Sequence, residues 1–265
     1  MKCVVITPVG PGHEKMAQEC RRSVAAAIAH GRGIFSEIDH RLVDDTRGEL
    51  GRSAARNGAV IEAAAAGVDW IFFLDADDLM VLEAFMVAAE ALLENDAVWG
   101  AICEQLPDGQ PRLREHQDVP LTDVMQLMRM NPFHSLQMGH FVKAGVAARF
   151  PFDPSLNAGE DFDYYLKVWL RQRCCKLPAP LFVNRRGFHS HGPKSATGQE
   201  WIRNVVQVMT RFVAENRSEL VGAFSPRRYS GASGLFAQGG AFVEQRTPEG
   251  VAAFDRWDEV RHDFE

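Results

Sequence analysis

Blocks of apolar and polar residues follow one another regularly over the first hundred residues of the chain. Four short apolar runs have the length of buried strands: residues 3–7, 38–43, 69–74 and 98–104. Three segments between them have the apolar spacing of helices: residues 13–30, 51–66 and 81–93. Strands that alternate with helices are typical of a doubly wound, mostly parallel sheet, so the pattern predicts an α/β fold.

The second half of the chain is less regular. Helical patterns are present in four segments: residues 121–130, 161–171, 199–216 and 248–260. Residues 133–150 mix strand and helix signals. Residues 176–183 have the pattern of an edge strand, because they combine an extended apolar pattern with two prolines.

Composition excludes several classes of protein. The chain has 265 residues, of which 46% are hydrophobic, and this is enough for a full core. A net charge of −6 argues against a nucleic-acid partner, which usually requires a basic face. The apolar stretch before Asp75 is too short for a membrane span, and Glu62 and Asp69 interrupt it. Five scattered cysteines without metal-ligand spacing indicate reduced thiols, so we expect a cytoplasmic protein.

Three carboxylates follow the apolar run at residues 69–74, in the order Asp75-Ala76-Asp77-Asp78. Like charges this close repel one another, so such a cluster normally recruits a cation. Carboxylate oxygens suit Mg²⁺ or Mn²⁺, which keep positions open for phosphate oxygens. The alternative is a solvated turn that caps a helix N-terminus.

Polar residues also follow two of the other predicted strands, at Thr7-Pro8 and Asp44-Asp45. In a parallel sheet the carboxyl ends of the strands lie along one edge, where ligands bind. We therefore expect these residues and the acidic run at residues 75–78 to share one rim. This convergence favours the cation site over the helix cap.

A second acidic pair, Glu160-Asp161, lies at the start of the amphipathic helix predicted for residues 161–171. A carboxylate near a helix N-terminus is stabilised as the anion, and one that faces an open cleft can act as a general base toward a hydroxyl. The alternative is again a helix cap.

Residues 185–195 contain arginines, two histidines one residue apart and a lysine. On an extended segment His189 and His191 point to opposite sides, so at most one faces a given site. A neutral histidine can complete a metal shell, and arginine or lysine can hold phosphate oxygens. The alternative is a solvated polar loop.

The order of these motifs resembles that of family 2 glycosyltransferases with the GT-A fold. The matching segments are Thr7-Pro8, Val43-Asp44-Asp45, Ala55-Arg56-Asn57-Gly58, residues 73–78, Gly159-Glu160-Asp161 and His191-Gly192-Pro193-Lys194-Ser195. The likeness covers about residues 1–200, and its most specific part is the block from Ala55 to Asp78. Two features depart from the family. Thr46-Arg47 replaces the usual Gly-Ser after the acidic pair, and residues 107–149 match nothing that we can assign.

The resemblance implies three groups of site residues. A nucleotide-sugar pocket would be formed by Thr7, Pro8, Asp45, Arg52, Arg56, Asp75, Ala76 and Lys194. Mn²⁺ or Mg²⁺ would be bound by Asp77, Asp78 and His191. Asp161 would be the catalytic base, with Glu160 beside it.

The implied reaction moves a sugar, with inversion, from a nucleotide diphosphate sugar to the hydroxyl of a glycan, a lipid-linked or a small-molecule acceptor. A UDP-sugar is the favoured donor. The catalytic domain would span residues 1–200, with a nucleotide-sugar half at 1–105 and an acceptor and catalytic-base half at 106–200. Residues 201–265 would form a helical extension that completes the acceptor cleft or contacts a second copy in a homodimer. A lipid-linked acceptor would bring the protein to the inner membrane face.

Three other functions compete with this interpretation. A haloacid-dehalogenase-like phosphatase also has Asp-x-Asp after an apolar strand, but on its first strand, and the motif here follows about the third. A nucleotidyltransferase usually carries a basic, glycine-rich loop after its first strand, and residues 8–12 contain no arginine. A non-catalytic sugar-nucleotide-binding module is disfavoured by the intact acidic motifs.

Overall fold

A computed structural model provides the fold of the protein. It describes residues 1–105, 109–119, 121, 123–156, 158–185 and 196–223.

The first third of the chain forms three parallel strands and two helices. The strands are β1 (Lys2–Val9), β2 (Glu37–Asp44) and β3 (Trp70–Phe73), and the helices are α1 (Glu14–His30) and α2 (Arg52–Ala65). β1 lies between β2 and β3. This is the strand, helix, strand, helix, strand order that the apolar pattern predicts.

The remaining elements are shorter. The segment after β3 contains β4 (Leu79–Met80), α3 (Ala84–Val87), α4 (Ala89–Glu94), β5 (Ala97–Trp99), β6 (Cys103–Gln105) and β7 (Pro111–Leu113). Then follow α5 (Val124–Arg129), α6 (Pro132–Ser135), β8 (His140–Lys143), α7 (Ala144–Arg149) and α8 (Glu160–Arg171). The last elements are β9 (Cys174–Lys176), β10 (Phe182–Arg185), α9 (Ala196–Glu215) and α10 (Arg217–Ala223).

Ten strands form two sheets in the part of the chain that the structure describes. The larger sheet has the order β2-β1-β3-β8-β5-β9, and only β8 runs against the other strands. The smaller sheet has the order β4-β10-β6-β7. The predicted α/β fold with a mostly parallel central sheet is confirmed. The mixed signals at residues 133–150 are explained by β8 and α7, which follow each other without a loop.

The prediction of one strand over residues 98–104 is wrong. β5 belongs to the large sheet and β6 to the small one, so the chain changes sheets between them. Gly100 lies at the change, where a Cβ atom would come within 2.7 Å of the Leu181 nitrogen and 2.8 Å of the Ala179 oxygen. All residues of this segment up to Glu104 are buried. The apolar pattern therefore continues through the change of sheet and does not reveal it.

The prediction of one edge strand over residues 176–183 is also wrong. β9 forms the edge of the large sheet, whereas β10 lies inside the small sheet between β4 and β6. Pro178 and Pro180 fall between the two strands. Because proline has no N–H to donate to a ladder, the chain leaves one sheet there before it enters the next.

Most helical predictions are confirmed. Residues 13–30, 51–66, 121–130, 161–171 and 199–216 correspond to α1, α2, α5, α8 and α9. Residues 81–93 form two short helices, α3 and α4, instead of one. The helix predicted at 248–260 lies outside the described residues. None of the helices among the described residues is long and apolar enough to cross a membrane.

Alternation along β3 divides the core between the two faces of the large sheet. Ile71 and Phe73 lie in the cluster that also contains apolar residues of α2, α8 and α9. Trp70 and Phe72 lie in the cluster that contains residues of α1 and α3. Helices thus cover both faces of the sheet, as a doubly wound fold requires. The predicted domain boundary at residue 200 falls inside α9.

Gly100→Ala should lower the free energy of unfolding by about 1–3 kcal/mol, because the added methyl group overlaps backbone atoms that cannot move aside cheaply. The matched control is Gly145→Ala in α7, where no atom lies within 4 Å of the added Cβ. Alanine should stabilise that helix by about 0.5–1 kcal/mol. Urea unfolding measures both changes, and a neutral result for Gly100→Ala would contradict the close approach of the two segments.

Candidate functional site

The acidic loop after β3 brings three carboxylates together. Leu74 still donates its N–H to the Ile6 carbonyl, and the next residues turn so that the Asp78 N–H donates to the Asp75 carbonyl at 3.0 Å. Carboxylate oxygens of Asp75, Asp77 and Asp78 all lie within 4.8 Å of one another. We refer to these three side chains as the acidic triad. Their oxygen ligands fit a hard divalent cation.

Asp78 is the most buried member of the triad, with 1% of its surface exposed. One of its oxygens accepts from the Asn184 side-chain amide at 3.0 Å and from the Arg185 N–H at 3.2 Å. Burial, followed by the charges of Asp77 and Asp75, raises its pKa well above the ordinary value. Burial and Asp75 also raise the pKa of Asp77. The triad thus holds negative charge in an unfavourable setting, which a bound cation would relieve.

Arg185 fastens the acidic loop to α1. Its guanidinium pairs with the Glu19 carboxylate, donates to the Asp77 carbonyl, and reaches the Met16 carbonyl at 3.4 Å. The sequence suggests phosphate binding for an arginine in this segment. In the structure the Arg185 guanidinium instead contacts protein groups. No local sequence motif predicts that it anchors the acidic loop.

The acidic pair on α8 follows a glycine with left-handed backbone geometry. Gly159 has φ of 80°, a conformation that disfavours other residues, and Glu160 and Asp161 form the first turn of the helix. Glu160 is 3% exposed, whereas Asp161 is half-buried and accepts from the Phe162 N–H at 2.8 Å. Burial and the neighbouring Glu160 charge raise the pKa of Asp161 to about 7. A pKa near neutrality is favourable for a general base.

Arg56 of α2 joins the acidic triad to the pair on α8. Its guanidinium contacts the Asp75 carboxylate and lies 3.4 Å from a Glu160 oxygen. Arg52, one turn earlier and 56% exposed at its side chain, lies 3.5 Å from the same Glu160 oxygen. Burial by itself lowers the pKa of Arg56, but the charges of Asp75 and Glu160 outweigh it and raise the pKa. Both acidic motifs therefore belong to one site.

Asn57, next to Arg56, has a separate structural role. Its side chain exchanges two hydrogen bonds with the Phe152 backbone, at 2.8 and 2.9 Å. This exchange ties α2 to the segment before α8. The Arg-Asn sequence thus places one side chain in the site and uses the next to hold the site together, which the motif alone does not reveal.

The polar groups at the ends of β1 and β2 are largely engaged within the protein. Thr7 is fully buried, and its hydroxyl lies 3.0 Å from His40 Nε2. The Asp45 carboxylate accepts from the N–H groups of Leu50 and Gly51, both at 2.9 Å, and so closes the loop before α2. A carboxylate has further lone pairs, so these bonds leave capacity for a ligand.

Two other predicted pocket residues lie beside this rim. Pro8 is half-buried near the end of β1. Ala76 is 4% exposed and packs with Val9 and Ala17, so its side chain belongs to the interior. Their contacts with a donor remain predictions, as do those of Thr7 and Asp45. His191 and Lys194 lie outside the described residues.

No protein-family model matches the chain, and no curated protein matches it. Solved structures of TarS 1–349 from S. aureus do resemble it. The structure of TarS 1–349 aligns with 98% of the present chain, and the alignment covers 83% of the TarS chain at 15% identity, with a TM-score of 0.55. The TarS complex with UDP-GlcNAc aligns over 98% of the present chain and 81% of the TarS chain, at 14% identity and a TM-score of 0.59. The complex with UDP aligns over 100% of the present chain and 90% of the TarS chain, at 15% identity and a TM-score of 0.59. At this identity the likeness shows a shared fold.

Asp161→Asn should raise the melting temperature at pH 8 and change it little near pH 4. The pKa of Asp161 is about 7 in the folded protein, above the ordinary unfolded value of about 3.9. The wild type therefore loses stability as pH rises between these values, and asparagine removes that loss. Melting curves at both pH values, in EDTA, measure the difference.

Asp153→Asn is the control of opposite sign. Hydrogen bonds from Ser155 and the charge of Arg211 outweigh burial and lower the pKa of Asp153. Its substitution should lower the melting temperature at pH 8. A lower melting temperature at pH 8 for Asp161→Asn as well would contradict the raised pKa of Asp161.

Proposed function

We propose that the protein is a family 2 glycosyltransferase with the GT-A fold. In this proposal it moves a sugar from a nucleotide diphosphate sugar, with a UDP-sugar favoured, to an acceptor hydroxyl with inversion. The observation that carries the proposal is that the buried Arg56 contacts both Asp75 of the acidic triad and Glu160 of the Glu160–Asp161 pair. The fold shared with TarS 1–349, which binds UDP-GlcNAc and UDP in its solved structures, supports the choice of donor.

The acidic triad is the donor end of the site in this proposal. Asp77 and Asp78, together with Asp75, would hold Mn²⁺ or Mg²⁺, because carboxylate oxygens are the ligands that these cations prefer. When bound, such a cation offsets the negative charge that develops on a departing diphosphate. The chain holds the triad in place through several groups: Asn184 and the Arg185 N–H bind the Asp78 carboxylate, the Arg185 guanidinium binds the Asp77 carbonyl, and Arg56 binds the Asp75 carboxylate.

The Glu160–Asp161 pair is the acceptor end of the site. An acceptor hydroxyl is a poor nucleophile at neutral pH, and Asp161 would take its proton as the oxygen attacks the anomeric carbon. A pKa of about 7 suits this task, because the carboxylate is partly ionised at neutral pH and still basic enough to accept a proton. Glu160 contributes to that basicity through its charge.

The phosphatase alternative gains nothing from the geometry. It requires Asp75, the first residue of the motif, to act as a nucleophile. In the structure Asp75 follows the third strand and pairs with the buried Arg56, which stabilises the carboxylate and so weakens it as a nucleophile.

UDP should bind in calorimetry more tightly with Mn²⁺ than with EDTA, and Asp77→Ala should remove most of this difference. Asp77 supplies one of three carboxylates, so its loss should weaken the metal site without removing the nucleotide pocket.

A panel of nucleotides and nucleotide sugars identifies the donor class. A folded wild type that binds none of them would end the glycosyltransferase proposal, and an unchanged UDP affinity in Asp77→Ala with metal present would end the ligand assignment.

Asp161→Asn should lower kcat by about 10²- to 10⁴-fold, the usual contribution of a general base. UDP-sugar affinity should stay nearly unchanged, because the substituted group faces the acceptor. Steady-state assays give kcat once an acceptor is found, and until then donor hydrolysis by water serves as the readout. The base assignment would be wrong if the variant kept a near-wild-type rate.

A further inference from the structure

Arg56 divides its contacts unequally between two carboxylates from distant parts of the chain. The contact with Asp75 is close, whereas the nearest Glu160 oxygen is 3.4 Å away. The Arg56 and Glu160 side chains are 3% and 4% exposed, while Asp75 is 36% exposed. The guanidinium is thus buried with one strong and one weak partner.

The position of the Arg56 guanidinium is only partly fixed by its surroundings. Its Cζ atom lies 5.3 Å from the centre of the Phe152 ring, and Asn57 holds the Phe152 backbone in place. Its Nε atom is buried and has no hydrogen-bond partner among the described residues. Among the described residues the two carboxylates are the only hydrogen-bond partners of the guanidinium, so a shift from one to the other breaks no further hydrogen bond.

Asp75 is also a member of the acidic triad, so Arg56 and a cation compete for the same carboxylate. A cation at the triad weakens the attraction between Asp75 and Arg56 by sharing the negative charge. Glu160 offers the displaced guanidinium a second partner within a short distance. Without that partner, displacement would leave a buried positive charge poorly paired, which is costly.

We infer that Arg56 is a positioning residue that couples cation and nucleotide binding at the acidic triad to the Glu160–Asp161 pair. Binding at the triad moves Arg56 toward Glu160, so the acceptor end of the site is organised when the donor is in place. This inference rests on the proposed function. Because coupling between two sites is reciprocal, it also requires Glu160 to influence binding at the triad.

The test is a double-mutant cycle on nucleotide binding. The measured quantity is the metal increment, defined as the ratio of the UDP affinity with Mn²⁺ to that with EDTA. Glu160→Gln should reduce the metal increment by about fivefold or more, the lower range of typical coupling between sites. Arg56→Lys keeps the charge but lacks the planar fork that reaches two carboxylates. In the Arg56→Lys background, Glu160→Gln should change the metal increment by less than about twofold.

Two controls separate a bridging contact from a general effect of charge. Glu160→Asp keeps the negative charge but moves it away from Arg56, so it should also reduce the metal increment. This variant replaces Glu160→Gln in the test if Glu160→Gln does not fold. Asp163→Asn removes a buried carboxylate from the same helix. This carboxylate pairs with Arg211 and Lys167 and not with Arg56. Asp163→Asn should leave the metal increment within about twofold of the wild type. Melting temperatures establish that each variant is folded.

Three results would overturn the inference alone. The first is an equal effect of Glu160→Gln in the wild-type and Arg56→Lys backgrounds, and the second is an Asp163→Asn effect as large as that of Glu160→Gln. The third is UDP binding by the wild type with no metal increment, which overturns the inference and leaves nucleotide binding standing. A wild type that binds no UDP at all overturns the proposed function and the inference with it.

Discussion

The buried Arg56 guanidinium is the interaction on which the rest of the site depends. A charge that is 3% exposed is tolerated only when carboxylates compensate it, and Asp75 and Glu160 do so from two motifs 85 residues apart. The same contact explains why the acidic triad and the Glu160–Asp161 pair can lie close together in a largely buried site. Without the positive charge between them, the triad and the α8 pair would repel each other.

A second buried arginine, Arg185, anchors the acidic loop through other contacts. Arg185 ties the Asp77 backbone to Glu19 of α1, and its own N–H holds the Asp78 carboxylate. The acidic loop is thus fixed from β10 and α1, independently of the Arg56 contact with its first residue. Rigid placement of charged groups before a ligand arrives is what makes electrostatic stabilisation effective.

The sequence predicts the fold well where local pattern decides it, and less well where distant segments meet. The strands and helices of the first 75 residues follow from apolar runs and spacing, and so does the convergence of the acidic loop with the ends of β1 and β2. The change of sheet at Gly100 depends on contact with residues 179–181, which no local pattern encodes. Burial of Arg56 and the anchoring role of Arg185 likewise depend on partners far along the chain.

Raised pKa values at Asp77, Asp78 and Asp161 share one cause, which is burial among like charges. Each raised pKa is a loss of stability at neutral pH, since the folded protein disfavours the ionised form. The apolar core on both faces of the sheet offsets this cost. A bound cation would lower this cost at the triad, and a proton would lower it at Asp161. Under the proposed function, a diphosphate donor with its cation and the proton of an acceptor hydroxyl would supply these two charges, so the destabilisation of the site would favour both donor binding and proton transfer.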